Sequence, residues 1–137
     1  MDLLNVKLND EEIGKITTLG LAHVGDAVYE LMVRSYLCRK GLETAKVLHL
    51  STVQYVSAPA QAALARRVIP LFTEEEREIF KRGRNAHVNS VPSKSTVGEY
   101  HAATGLEALF GYLYLKGETE RLSELFALIV EGGNDAS

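Results

Sequence analysis

Cysteine is nearly missing from this 137-residue chain, in which Cys38 stands alone. An internal disulfide and a cysteine-based zinc cluster are both excluded, and a cytoplasmic protein is expected. Long apolar runs are missing as well. The best candidate, Leu19 to Leu37, is interrupted by Asp26, Glu30 and Arg34. It falls short of the roughly 18 apolar residues that a membrane span needs, so no membrane partner is expected. The opening MDLLNVKLNDEE lacks the basic start and apolar core of a signal peptide. Strand-like alternation, hairpin dipeptides such as Asn-Gly, internal repeats and low-complexity linkers are absent too. Acids are lacking in one stretch. Between Ile79 and Gly98 there is no Asp or Glu, while Lys81, Arg82, Arg84 and Lys94 all fall there. A net charge of −3 argues by itself against a nucleic-acid binder. A basic strip on an acidic body is nevertheless the footprint of a phosphate-contacting site. The alternative is a solvated loop that is merely basic.

What is present reads as helix. Hydrophobic residues make up 46% of the chain and charged ones 24%, an ordinary globular composition. The length suits one domain over residues 1–137 that can bury a real core. Asn9-Asp10 can cap a first short helix containing Ile13 and Ile16. Thr17 or Thr18 can cap a long one from Leu19 to about Arg39, with Gly41 as its stop. ETAKVLHL reads as a short helix. STVQYVSAPAQAALARRVIPLF reads as one or two more, with Pro59 breaking or restarting the turn and Pro70 ending it. TEEEREIFKRGR opens on a capping box, Thr73 with Glu76. NAHVNSVPSKSTVG is the one loop-like stretch. EYHAATGLEALFGYLYLKG is a long helix stopping near Gly117, and ETERLSELFALIVEGG is the last. The expected architecture is an all-α bundle of six to eight helices.

Two of these helices share an oddity. Each is apolar around most of its circumference, and each embeds one carboxylate, Asp26 in the first and Glu107 in the second. Gly25 adjoins Asp26, and Gly111 lies one turn beyond Glu107 on the same face. Glycine costs up to about 1 kcal/mol in a helix interior, so two in central helices point to close backbone approach. If the helices cross at the glycines, Asp26 and Glu107 come together. Two ionised carboxylates in a dry crevice repel, so one takes a proton or a cation sits between them. Mg²⁺ suits such a pair because it prefers oxygen ligands and keeps several waters. The alternative is local pairing, of Asp26 with Arg34 or a backbone group and of Glu107 with a surface lysine. The histidines His23, His49, His87 and His101 have no metal-type mutual spacing, and Ser90, Ser93 and Ser95 read as loop residues. Glu30 and Arg34 are spaced for an i,i+4 ion pair.

LAHVGDAVYE resembles the signature helix of the ribonuclease III family, and LEALFGYLYL resembles that family's second motif. The two occur in the family's order, and the resemblance covers essentially the whole chain. The length and the RGRNA segment are similar to the short, single-domain bacterial branch, which has no C-terminal double-stranded-RNA-binding domain. The resemblance implies an all-helical endonuclease domain working as a homodimer. It implies cleavage of double-stranded RNA with Mg²⁺, or Mn²⁺ in its place, leaving 5′-phosphate and 3′-hydroxyl ends. The implied substrate is the precursor of the large-subunit (23S) ribosomal RNA, with ribosomal proteins as further partners. By position, Asp26 and Glu107 match metal ligands required for cleavage. Leu19, Ala22 and Thr104 stand where larger members carry acids, which thins the metal site. Arg82, Arg84, Asn85, His87 and Lys94 are suitable donors to an A-form backbone, which is read mainly by shape. Leu19, Val24, Val28 and Tyr29 are candidates for the dimer face. The competing expectation is a non-catalytic RNA-binding, ribosome-assembly protein that kept the fold and lost ligands.

Overall fold

A computed structural model describes residues 1–41, 44–86 and 96–131. They form seven α-helices: α1 Asp10–Gly14, α2 Thr18–Arg39, α3 Ala45–Val56, α4 Ala58–Val68, α5 Glu74–Arg84, α6 Val97–Lys116 and α7 Thr119–Glu131. A single 3₁₀ turn, Ile69–Leu71, carries Pro70. No strand occurs among the described residues, so the all-α expectation holds.

The helix starts are local chemistry. Thr17 caps α2 by accepting from Gly20 N–H at 3.0 Å. Full capping boxes open α1 (Asn9 with Glu12), α5 (Thr73 with Glu76) and α6 (Thr96 with Glu99). Each satisfies two N–H groups that the helix geometry leaves orphaned. The box on α6 starts that helix two residues before the expected Glu99. Pro59 sits in the first turn of α4, where no intrahelical donor is needed. It therefore restarts the helix instead of breaking one. Upstream, AKVLHL and STVQYV belong to one continuous helix, α3, and not to two. Ser57 joins the pair, its N–H closing α3 on Val53 and its hydroxyl capping α4. The stop at Gly117 has a φ of 82°, with Gly117 N–H on Tyr114 O and Glu118 N–H on Leu113 O. This is a Schellman closure, and it requires the left-handed backbone that glycine tolerates.

α6 is the axis of the bundle. Leu106, Ala108, Leu109 and Phe110 are fully buried, and α1, α2, α4, α5 and α7 all pack on it. An all-round apolar helix has no amphipathic stripe because it has no solvent face. Tyr29 from α2 meets Phe110 edge-on with centroids 5.4 Å apart and lies 6.1 Å from Phe126 of α7. Such aromatic pairs contribute about 0.5–1.5 kcal/mol beyond the area they bury. Tyr29 is thus wholly interior and drops out as a dimer-face residue. α5 and α7 are clasped by Arg121, which donates from Nε and Nη2 to both oxygens of the buried Glu76 at 2.8 and 2.9 Å. Burial alone would raise the pKa of Glu76, but the bonds from Arg121 and the Thr73 N–H outweigh it and hold the group below its ordinary range.

Candidate active site

Two glycine crossings set the depth of the central helices. At Gly25 an added Cβ would fall 1.6 Å from the Glu107 carbonyl oxygen, and at Gly111 it would fall 1.9 Å from the Leu21 carbonyl oxygen. No side chain fits between α2 and α6 here, so the backbones touch. A second crossing joins α5 to α6. A Cβ on Gly83 would lie 2.7 Å from the Cα of Gly105 and 2.8 Å from the Cβ of Ala108. The first crossing was expected from the sequence and the second was not. Because α2 lies against the backbone of Glu107 itself, the next residue along α2, Asp26, is delivered to the Glu107 side chain.

The two carboxyl groups are within hydrogen-bonding reach of each other. Asp26 is on the exposed side of α2, while Glu107 is half-buried. Burial first, and then the facing Asp26, push Glu107 up to about 8, against the opposing N–H of Gln61. Near neutral pH Glu107 therefore keeps its proton when nothing else neutralises the crevice. Tyr29 completes the wall. Its hydroxyl donates to the Tyr55 carbonyl at 3.0 Å, and burial, then Tyr55 and Glu107, raise its pKa well above the ordinary phenol range. Among the described residues, the expected local pairing of the two acids does not occur. Arg34 bonds Glu30 at 3.0 Å, the expected i,i+4 pair, and Glu107 is held by an amide and not by a lysine.

That amide, Gln61 of α4, was missed in the sequence. Its side chain donates from Nε2 to Val56 O at 2.9 Å and to Glu107 Oε2 at 3.3 Å. The one available hint was a lone amide in the alanine-rich run SAPAQAALA. The three positions where acids were lacking differ in setting. Ala22 is buried, and Thr104 is buried with its hydroxyl donating to Tyr100 O at 2.9 Å. Leu19 is exposed. Among the described residues no group of three or more His, Cys, Asp or Glu side chains gathers to hold a metal. The acidic donor set is therefore two carboxylates. That set fits a hard cation that completes its shell with water, and the proton that Glu107 holds marks where positive charge is wanted.

The basic strip is partly in view. Arg82 and Arg84 are exposed at the C-terminal end of α5, and Asn85 is the exposed C-cap residue. His101, on α6, places Nδ1 2.7 Å from the Arg84 carbonyl, satisfying an orphaned helix-end acceptor and tying α5 to α6. His23, in contrast, is exposed and not packed inside. His87 and Lys94 lie outside the described residues.

This arrangement, a two-carboxylate crevice on a helical bundle that also carries a basic helix end, belongs to a known class of nuclease domain. Residues 19–118 match the family model of the ribonuclease III domain. Relatives sharing most of the length bear the name Mini-ribonuclease 3. The one from Symbiobacterium thermophilum is 47% identical over 107 residues, 78% of this chain and 82% of the relative. The one from a Thermoanaerobacter species is 44% identical over 124 residues, 90% and 87% of the two chains. A crystal structure of a Fusobacterium nucleatum protein superposes with a TM-score of 0.80 at 31% identity, covering 89% of this chain and 98% of that one. The chain belongs to the ribonuclease III family, in its Mini-ribonuclease 3 branch, and is an endoribonuclease acting on double-stranded RNA.

Proposed function

We propose that Asp26 and Glu107 are the catalytic pair and hold a divalent cation, Mg²⁺ with Mn²⁺ as substitute, for hydrolysis of duplex RNA to 5′-phosphate and 3′-hydroxyl ends. The observation that carries this reading is the α2–α6 crossing, where glycine-to-backbone contact delivers two carboxylates from different helices to one crevice. A cation held by Asp26 and Glu107 would supply a water of lowered pKa and would neutralise charge building on the scissile phosphate. The chain's own work is to place the ligands. Asp26 presents an exposed oxygen pair to the solvent side where RNA arrives. Glu107 is anchored from behind by Gln61. Arg82, Arg84 and Asn85, with His87 and Lys94, contact the phosphates and sugars, and the last turn and C-cap of α5 carry the first three.

The substrate we assign is the precursor of the 23S ribosomal RNA, processed in the cytoplasm, with ribosomal proteins as further partners. Two cuts in a duplex need two sites, and each chain offers one Asp26–Glu107 pair. A two-fold homodimer supplies the second. An apolar groove lined by Leu4, Val24, Ala27, Val28, Leu31 and Tyr114 runs along α2 on the bundle surface, and we assign it to that interface. Incubation of the purified protein with duplex RNA tests the reading. Cleavage with Mg²⁺, none with EDTA, and none by Asp26→Asn at equal folding is the expected result. Cutting by Asp26→Asn removes Asp26 from the site.

A further inference from the structure

We propose that Gln61 is a positioning residue that holds the Glu107 carboxylate in place as a ligand, an inference that rests on the divalent-cation reading of the Asp26–Glu107 pair. Gln61 is 1% exposed. Both hydrogens of its Nε2 are committed, one to Val56 O at 2.9 Å and one to Glu107 Oε2 at 3.3 Å. Val56 O is a backbone carbonyl and can only accept. Turning the amide over would set Oε1 against that carbonyl and against the carboxylate together. The orientation that gives an N–H to Glu107 is therefore enforced by a backbone atom of the α3–α4 junction. The neighbouring carbonyl, Tyr55 O, is taken by the Tyr29 hydroxyl, so the junction is pinned from α2 as well.

The other end of the amide indicates a role beyond packing. Gln61 Oε1 is buried with no hydrogen-bond partner among the described residues. An apolar side chain of the same size would fill the space without that cost, and buried unsatisfied polar atoms in native proteins call for an explanation. The gain is at Glu107. Its other close neighbour, Asp26, repels it when both are ionised, and Gln61 is the one side chain among the described residues that donates to it. An N–H on Oε2 restrains the carboxylate's rotation and leaves Oε1 of Glu107 for a cation. Groups that orient ligands from behind change metal affinity by about 10–100-fold when removed.

The test uses the full chain and Mn²⁺ alone, measured by electron paramagnetic resonance without RNA. Gln61→Met keeps size and burial and loses both donors. It should weaken Mn²⁺ binding by about 10–100-fold and raise the Mg²⁺ concentration for half-maximal cleavage in parallel, with KM for duplex RNA at saturating metal unchanged. Gln61→Asn keeps an amide but draws it back from Glu107, and should show the same loss if the Met variant does not fold. Ser57→Ala loosens the same α3–α4 junction by removing the α4 cap without touching Glu107. It should lower the melting temperature and leave Mn²⁺ affinity at the parent level. Parent-like Mn²⁺ affinity in folded Gln61→Met, or an equal loss in Ser57→Ala, overturns the positioning role. A parent protein that binds no Mn²⁺ overturns this inference and the cation reading together.

Discussion

At the scale of single residues, burial and the facing Asp26 act together on Glu107, against the N–H of Gln61. Asp26→Asn and Glu107→Gln are isosteric, and each takes one anionic ligand from the proposed cation. Both variants should fold, and each should cleave below about one-hundredth of the parent rate, a larger loss than removing an outer-shell partner gives. Single-turnover cleavage beside a circular-dichroism melt checks this, and a loss in only one of the two would end the shared-ligand model. The proton on Glu107 makes a second expectation. The folded Glu107 holds its proton up to about pH 8, while its ordinary value is 4.5. A raised carboxyl pKa contributes stability that is complete below the unfolded value and is lost as pH rises through the folded one. The metal-free protein should therefore lose melting temperature between about pH 5 and about pH 8. Glu107→Gln should flatten that decline, and thermal melts in EDTA across the range decide it.

At the scale of elements, the helix crossings matter more than the helices. Gly111→Ala would drive a methyl group into the Leu21 carbonyl, and backbone cannot move aside as a side chain tip can. The expected loss is about 3 kcal/mol or more, at the upper end of overpacking costs, with duplex cleavage falling as α2 and α6 are forced apart. Gly98→Ala, in the first turn of the same helix, meets nothing within 4 Å. It should be neutral or gain up to about 1 kcal/mol from helix propensity. Urea unfolding of the two variants separates steric exclusion from a general aversion to alanine in α6. Equal behaviour would mean that the close approach is not what glycine is for.

For the whole molecule, charge and apolar surface are divided. The net charge is −3, yet Lys81, Arg82 and Arg84 stand together at the exposed end of α5. Arg82→Ala with Arg84→Ala should weaken duplex binding and reduce the log–log salt slope by about two units at most. An unchanged slope in a filter-binding titration would make the strip mere solvated charge. The α2 groove gives the assembly prediction. Leu31 is 60% exposed and lies in that groove, so Leu31→Asp costs little in the folded monomer. It should convert a dimer to a monomer in light scattering at micromolar concentration while the melt stays cooperative. Val28, packed partly against the core, would confound dissociation with unfolding. Parent protein that scatters as a monomer and still cuts both strands would defeat the dimer.

The sequence by itself determined what depends on a few neighbouring residues. The Thr73–Glu76 box, the Thr17 cap and the Gly117 stop each act within one helical turn, so their signals are contiguous. The pairing of Asp26 with Glu107 was also legible, because Gly25 and Gly111 mark the contact on both helices. Tertiary structure alone decided which face of an all-round apolar helix meets which neighbour. α2 and α6 carry no stripe to say that Tyr29 turns inward against Phe110 or that His23 turns out to solvent. The Gly83–Gly105 contact and the amide of Gln61 were hidden for the same reason. Their partners lie 22 and 46 residues away, and contacts at that separation are set by how the helices pack around α6, which local periodicity does not encode.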